Sequence, residues 1–485
     1  MQLSPESLPR RARLLPLLHA EHGRRGWLSP ESVTAIAREA RIPVAEAWEA
    51  ATSYRDFHFE SPAGKAQVCT GLSCQLAGAA TEAGEAVMGC RFRCYEAPAR
   101  GHDQPFPEQF IREAGPLLAP DVTDWRGLER ARSVGREAAL AEIESSGLRG
   151  RGGAYFPVGR KWAGALAQNR PIALVVNAEE GEPGVFKDRA LLCRRPRRVL
   201  EGIAIAAELL QPAVVAIVVN GEAEAARMSL EAALASPGLP QNVDPWVVPG
   251  GGGYILGEET TLLNALEGRK PVPRLRPPYP VESGLFGMPT VINNVETLAN
   301  LSVAFRDGAA AFRSSGTVDA PGTKLFSVSG QVREPGVYEL PLGIRLAEVI
   351  ERAGGAVSGS VTAVLTGGPS GGFLAPSEFG VALAPGVLHP TGAMVGAGGL
   401  VVLDESSDVR AAVLAMARFN AEESCGKCTP CREGSPRMLD FLRENDAGSL
   451  EPLLEVVGAA SLCGLGQMAP NPLRSALHFW PELFR

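Results

Sequence analysis

Long apolar runs are missing from this 485-residue chain. The longest, PAVVAIVVN at 212–220, has strand length and falls far short of the roughly 20 residues that span a bilayer. The opening stretch, MQLSPESLPRRARLLPLLHAEHG, has too short an apolar core and no small-residue cleavage pattern. No secretory leader is expected, and the chain reads as soluble and cytoplasmic. Aromatics are sparse at 6%, but the apolar fraction of 45% is ordinary and sufficient for buried cores. Strong charge of either sign is also lacking. A formal net charge of −7 argues against a nucleic-acid partner. A single ordinary domain is excluded by length, since about 150 residues per domain suggests three or four units.

Cysteine is present, and unevenly. Of nine, four lie at 69, 74, 90 and 94 and four at 425, 428, 431 and 463. In a cytoplasmic chain such clusters favour metal ligation over disulfides. The C-terminal set, ESCGKCTPCREG followed by SLCGLGQMAP, gives C-x2-C-x2-C plus a distant fourth thiol. Three thiolates on a turn and one from afar suit the corners of a [4Fe–4S] cluster. Structural zinc is the alternative, though zinc sites usually come as two pairs. Gly426, Gly464 and Gly466 would let backbone approach the cluster. The N-terminal set pairs CTGLSC (Cys69, Cys74) with CRFRC (Cys90, Cys94), which suits a [2Fe–2S] cluster and leaves zinc open. Cys193 stands alone and reads as a buried small residue.

The pattern along the chain is α/β and multidomain. Residues 1–60 read as helical. WLSPESVTAIAREA carries Ser29 as an N-cap and Pro30 at the first helical position, and a second helix follows Pro43. Residues 96–140 are Pro- and charge-rich and read as a linker leading into a helix. IALVVNAEEGEPG, VLEGIAIAAELL and AVVAIVVNGEA then alternate strand, helix and strand, as in a parallel sheet. TKLFSVSGQVREPGVYELPLG predicts two strands around a Pro-Gly turn. RLAEVIERAGG predicts a helix stopped at Gly354–Gly355, so this region reads as a small α+β domain. From 408 onward the pattern is a helical bundle, with Val409, Val413, Met416 and Asn420 on one helix face.

One glycine-rich stretch, SGLRGRGGAYFPVGRKW (146–162), is neither a P-loop nor a G-x-G-x-x-G fingerprint. Its adjacent glycines still expose backbone N–H groups to an anion, with Arg151, Arg160 and Lys161 adding positive charge. A plain surface loop is the alternative. Two acidic clusters follow. NAEEGEPG ends a strand with Glu179, Glu180 and Glu182. GGGGYILGEETTLLNALEG places Glu258 and Glu259 at a helix start. Strand ends of open α/β sheets are where ligands bind. Carboxylates there accept hydrogen bonds from ribose hydroxyls and repel a 2′-phosphate, which favours NAD over NADP. PTVINNVETL offers Asn293, Asn294 and Thr297 for a flavin ring edge or its phosphate.

The motifs GLRGRGGAYFP, NAEEGEPGVFKDR, YILGEETTLLNALEG, PPYPVESGLFGMPTVINNVETL and ESCGKCTPCREG resemble the NADH-binding flavoprotein subunit of respiratory complex I. The same module serves as the diaphorase of soluble NAD-dependent formate dehydrogenases and NAD-reducing hydrogenases. The resemblance implies a Rossmann-like FMN/NAD domain over 141–318, a ubiquitin-like β-grasp domain over 319–402 and a helical bundle with a [4Fe–4S] cluster over 403–485. FMN would meet Gly150, Arg151, Gly152, Lys161, Asn177, Glu179, Glu180, Tyr254, Gly257, Glu258, Asn293, Asn294 and Thr297. NAD(H) would meet Phe156, Glu182, Glu259 and Tyr279, with both aromatic rings stacking on adenine and Glu259 rejecting NADPH. No side chain would act as acid or base.

Residues 10–95, within a helical and truncated thioredoxin-like domain expected over 1–95, resemble the thioredoxin-like [2Fe–2S] subunit that accompanies this flavoprotein, on LPLLHAEHGRRGWLSPESVTAIAREARIPVAEAWEAATSYRDFHF, VCTGLSC and CRFRCYEAP. The chain thus reads as a fusion of two subunits. It departs from the pattern in three places. Only fifteen residues separate its cysteine pairs, so a helix over QLAGAATEAGEAV is expected with the middle strands deleted, and a partner would complete the fold. Tyr155 stands where the usual loop has Gly. The spacing from Cys431 to Cys463 is short, and CGLGQMAPNP is similar to the formate dehydrogenase and hydrogenase branch. The implied function is the diaphorase subunit of a soluble formate dehydrogenase, beside a molybdopterin/iron–sulfur catalytic subunit. The alternatives are the NADH-input subunit of complex I or of a hydrogenase, and a non-catalytic electron-transfer scaffold.

Overall fold

The computed structural model describes residues 9–60, 67–80, 86–88, 90–101, 103–120, 124–240 and 244–484. The N-terminal region opens with three helices, α1 (Leu14–Arg25), α2 (Pro30–Ala40) and α3 (Val44–Ala51). Ser29 caps α2 as its spacing predicts, its hydroxyl accepting from Ser32 N–H at 3.1 Å, with Pro30 in the first turn. The cysteine module that follows comprises β1 (Gln67–Cys69), α4 (Leu72–Leu76) and β2 (Ala86–Met88), the two strands paired in parallel. The helix expected over residues 75–87 is therefore corrected. α4 stops before Gly78, which takes φ +74°, and the end of that stretch is a strand. Residues 81–85 lie outside the described set. The expected linker is corrected too. Ile111–Glu113 forms β3, which joins the sheet of a later domain alongside Val337 and Tyr338.

The central domain holds α5 (Arg126–Val134), α6 (Arg136–Ser146), α7 (Val158–Leu166), β4 (Ala173–Ala178), α8 (Lys187–Arg194), α9 (Pro196–Leu210) and β5 (Val214–Val219). It continues with α10 (Glu224–Leu234), β6 (Trp246–Pro249), α11 (Glu259–Leu266), β7 (Thr290–Asn294), α12 (Val295–Asp307) and α13 (Ala309–Arg313). Its four strands are all parallel, in the order β6-β5-β4-β7. Both faces are covered, which is why β4 and β5 are near-continuous apolar runs. Successive residues of β4 alternate between two cores. Leu174 and Val176 pack with Ile203 of α9 and Leu298 of α12. Ala173 and Val175 pack with Leu14, Leu15 and Leu18 of α1 and Val33 of α2. The N-terminal helices are thus the second coat of the central sheet.

A third unit contains β8 (Thr323–Gly330), β9 (Gly336–Pro341), α14 (Leu346–Arg352), β10 (Val361–Thr366), β11 (Gly372–Leu374) and β12 (Gly399–Asp404). The sheet order is β11-β10-β12-β8-β9-β3. The first strand of the unit lies parallel to its last, β12, with an antiparallel β8–β9 hairpin beside them. This is a β-grasp, with Leu346, Val349 and Ile350 of α14 buried against the sheet. The tail is a bundle of α15 (Val409–Glu422), α16 (Thr429–Glu444), α17 (Ala447–Ala460), α18 (Gly464–Met468) and α19 (Asn471–Phe479). Asp408 caps α15 through Ala411 N–H at 2.9 Å, and Val413, Met416 and Asn420 are buried along one face. Among the described residues no helix is long and apolar enough to cross a membrane.

Candidate functional site

The strand order reverses at β4, which has β5 on one side and β7 on the other. A crevice beyond the carboxyl ends of β4 and β7 follows from that arrangement. Several of the residues singled out from sequence lie at these strand ends. Asn177 donates from Nδ2 to Gly257 O at 2.9 Å and accepts from Glu179 N–H. Glu180 accepts from Asp188 N–H (2.8 Å) and Arg189 N–H (3.0 Å) at the start of α8, and burial pushes its carboxyl up to about 7. Asn293 accepts from the Trp162 indole at 3.0 Å. Asn294 caps α12 and donates to Asp188 Oδ2 at 2.6 Å. Thr297 accepts from Arg151 N–H at 2.8 Å, and Gly152 lies against Asn294, where a Cβ would come within 3.1 Å.

Several expected contacts have other work. The Arg151 guanidinium is fully buried and donates to Thr323 O (3.1 Å), Arg149 O (3.2 Å) and Pro321 O (2.6 Å). Its charge does not face an anion in the crevice. Glu258 caps α11, accepting from Thr260 N–H (3.0 Å) and Thr261 N–H (2.9 Å), and is ion-paired with Arg276. Lys161 is ion-paired with Glu259 and donates to Ile292 O at 3.0 Å. Tyr254 sits where three units meet. Its N–H donates to Glu423 of the bundle at 2.7 Å and its hydroxyl bonds Ser370 of the β-grasp unit. The glycines that precede it are not a phosphate cradle. A Cβ on Gly251 would fall 2.0 Å from the Tyr54 ring, on Gly252 2.0 Å from Asp56, and on Gly250 1.9 Å from Glu179. Gly251 and Gly252 thus make room for the segment after α3, and Gly250 for Glu179 just beyond β4.

Sequence reasoning missed a buried ionic network beside the crevice. Lys324 pairs with Glu296 at 2.6 Å, Glu296 with Lys187 at 3.2 Å, and Lys187 with Asp188 at 2.7 Å. All four are essentially inaccessible. Lys187 and Asp188 lie within a motif singled out earlier, but only the fold shows that Lys324 of β8 completes the set. The crevice edge carries Glu182, whose carboxyl burial pushes up to about 8. Phe156 and Tyr279 are exposed, at 49% and 53%.

The thiols assemble in two places. Cys425, Cys428, Cys431 and Cys463 surround a small cavity with Ile255 and Leu465. Leu462 N–H donates to Cys428 at 3.5 Å, and Ser424 Oγ lies 3.2 Å from Cys431 Sγ. Burial pushes Cys463 up to about 11, so its thiolate would need a nearby cation's charge, which iron would supply. In the N-terminal set all four cysteines are buried. Gly71 and Arg91 N–H groups each donate to Cys69 at 3.4 Å, and Ala99 N–H to Cys74 at 3.3 Å. The thiols of Cys74 and Cys90 donate to Cys69 and hold it down to about 3. Cys94 accepts from Ser73 and from the backbone of Gly184, on the same loop as Glu182. Cys193, expected to be buried, is half-buried against the central core.

The flavin fit can be tested on one group. Both carboxylate oxygens of Glu179 are buried without a hydrogen-bond partner among the described residues, and burial holds its carboxyl well above the usual range. A ligand rich in hydroxyls, such as the ribityl chain of FMN, would provide the missing donors.

Comparison with known proteins agrees. Residues 143–303 match the family model of the Nuo51 FMN-binding domain, and 411–485 the NADH-ubiquinone oxidoreductase-F iron–sulfur binding region. Residues 4–92 match the thioredoxin-like [2Fe–2S] ferredoxin and 325–374 the SLBB domain. Together with the strand-order reversal at β4 and the two thiol sets, these define an NADH-oxidising flavoprotein subunit that carries FMN, a [4Fe–4S] and a [2Fe–2S] cluster. The second F-type subunit of the NADH-quinone oxidoreductase of Rhizobium meliloti (strain 1021) is 41% identical over 70% of this chain and 86% of its own length. The F-type subunit of the NADH-quinone oxidoreductase of Streptomyces coelicolor (strain ATCC BAA-471 / A3(2) / M145) is 38% identical over 74% of this chain and 84% of its own. The chain belongs to this family of NADH-quinone oxidoreductase F-type subunits. Among solved structures, a chain of an NAD+-reducing [NiFe]-hydrogenase in the H2-reduced state aligns with 98% of this chain and 93% of its own length, at TM-score 0.84 and 30% identity.

Proposed function

We propose that this chain is the diaphorase subunit of a soluble, cytoplasmic NAD-dependent formate dehydrogenase, working beside a molybdopterin/iron–sulfur catalytic subunit. The observation that carries the reading is the joining of the thioredoxin-like cluster region to the flavin domain in one chain. The quinone-oxidoreductase relatives account for 70% and 74% of it, whereas the chain from the NAD+-reducing enzyme aligns with 98%. The short Cys431–Cys463 spacing and CGLGQMAPNP resemble the soluble branch. A hydrogenase partner is the second reading, favoured by that whole-length structural match.

FMN, when bound, exchanges hydride with a pyridine nucleotide as an electron pair and passes electrons singly to iron–sulfur centres. The chain's residues position the two ligands. Asn177, Glu179, Glu180, Asn293, Asn294 and Thr297 line the crevice as hydrogen-bonding groups for FMN. Gly150, Gly152 and Gly257 let backbone come close, with Lys161, Tyr254 and Glu258 at its margin. Arg151 contributes by shaping the loop. Phe156 and Tyr279 offer faces to adenine, which need no hydrogen bonds from the base. Glu182 and Glu259 accept from ribose hydroxyls, and the charge of Glu259 opposes a 2′-phosphate. Cys425, Cys428, Cys431 and Cys463 hold the [4Fe–4S] cluster, and Cys69, Cys74, Cys90 and Cys94 the [2Fe–2S] cluster.

The test is to purify the assembly through a tag on this chain and follow NAD+ reduction with formate and with H2. Formate-dependent NADH formation by a molybdenum-containing complex is expected. H2-dependent reduction with nickel present selects the second reading. An FMN-loaded chain that does not turn over NADH with ferricyanide is a scaffold, and both readings fall.

A further inference from the structure

The loop over 149–157 is closed at its neck. Gly150 N–H donates to Phe156 O at 2.9 Å, Val158 N–H to Leu148 O at 3.0 Å, and Arg149 and Pro157 form an antiparallel bridge. Beyond the neck the loop is fixed to the β-grasp unit from one side. Arg151 donates to Pro321 O just ahead of β8 and to Thr323 O at its start, and Arg149 donates to Asp319 O at 2.6 Å and, within the loop, to Tyr155 O at 3.3 Å. A Cβ on Gly153 would sit 3.5 Å from the backbone of Gly396.

Tyr155 is the apolar one of these fixings. It is 5% exposed and belongs to the β-grasp hydrophobic cluster with Ala320, Phe326, Val328 and Val395. It reaches that cluster at φ +51°, a left-handed conformation that a residue with a Cβ disfavours. Its hydroxyl is buried with no hydrogen-bond partner among the described residues. Backbone strain and an unmet hydroxyl both oppose the native state. What offsets them is burial of the ring. The next residue, Phe156, is exposed.

We propose that Tyr155 is a positioning residue for nucleotide binding: its buried ring ties the loop to the β-grasp core and holds Phe156 ready for the adenine end of NAD(H). This rests on the reading of Phe156 as an adenine-stacking residue. The ring carries the effect, since the hydroxyl bonds nothing among the described residues. A loop already ordered before binding loses less freedom when the ligand arrives.

The experiment uses the FMN-loaded chain and ADP-ribose, which carries the adenine end of NAD but no hydride-accepting ring. Binding is followed by calorimetry, and loop order by hydrogen exchange across 149–157. Phe156→Ala should weaken ADP-ribose at least about fivefold, the scale of one lost stacking partner. Tyr155→Gly should weaken it comparably, speed loop exchange in the free protein, and raise KM for NADH while kcat is kept. Tyr155→Phe, which retains the ring, should restore binding and loop protection and melt no lower than the natural protein. If Phe156→Ala weakens binding and Tyr155→Gly does not, the proposal is wrong and the stacking reading stands. If Tyr155→Phe behaves like Tyr155→Gly, the hydroxyl is responsible and the proposal is likewise wrong. If Phe156→Ala binds as tightly as the natural protein, the stacking reading fails and takes the proposal with it.

Discussion

At the scale of single residues, the junction behind the glycines at 250–252 holds the clearest titration. His19 lies beside Gly250 with its Nε2 buried and unpartnered among the described residues, its ring edge-on to Phe57 at 4.8 Å. Burial pushes it down to about 4 from the ordinary value of 6.5. Between those two values the unfolded chain binds a proton that the native state does not. This contribution to stability is complete above pH 6.5 and is lost as pH falls toward 4, worth on the order of 3 kcal/mol. His19→Gln removes the titration, so the fall in melting temperature between pH 7 and pH 4.5 should be smaller in the variant than in the natural chain. Equal falls would show that His19 is not what acid unseats. Such environments are invisible in a sequence, because His19 meets Gly250 across more than two hundred residues. The same distance hid the fate of Arg151. A basic residue among glycines reads as an anion contact, and only the fold shows three carbonyls already taking its donors.

At the scale of elements, the shortened cysteine module is supported from within its own chain. Leu72 of α4 is buried in the cluster that includes Leu365, Val401 and Met416. Ser73 meets Ser329 of β8 at 3.0 Å, and Gln331 donates to Leu76 O. The β-grasp sheet therefore braces the helix that carries Cys74. Leu72→Ala should cost about 2–4 kcal/mol of local stability. It should also lower the spin count of the [2Fe–2S] signal by electron paramagnetic resonance, with the [4Fe–4S] signal unchanged. Equal loss of both signals would mean general unfolding. Elements with strong local signals were legible: the cap and proline opening α2, the βαβ run and the cysteine spacings. β2 and β3 were not. Each is a three-residue strand, set by the partner it pairs with more than by its own alternation.

At the scale of the molecule, the N-terminal helices and the central domain share one hydrophobic core. Removing residues 1–60 would strip Leu14, Leu15, Leu18 and Val33 from a face of the sheet that has no other use for water. Apolar surface of that extent drives association. The truncated chain is therefore expected to aggregate or to bind a hydrophobic dye strongly in light-scattering and fluorescence assays. A monodisperse truncated chain that retains FMN would show the shared core to be dispensable.

Shared burial also couples the cysteine module to the central sheet, since Cys90 and Cys94 lie in one hydrophobic cluster with Leu174 and Val176 of β4. A ligand that binds only the folded state shifts the folding equilibrium of everything that unfolds with it. If the central sheet and the cysteine module melt together, a flavin bound where we propose would protect the iron centre as well. Stripping the yellow cofactor would then bleach the red one, through cooperativity of unfolding alone.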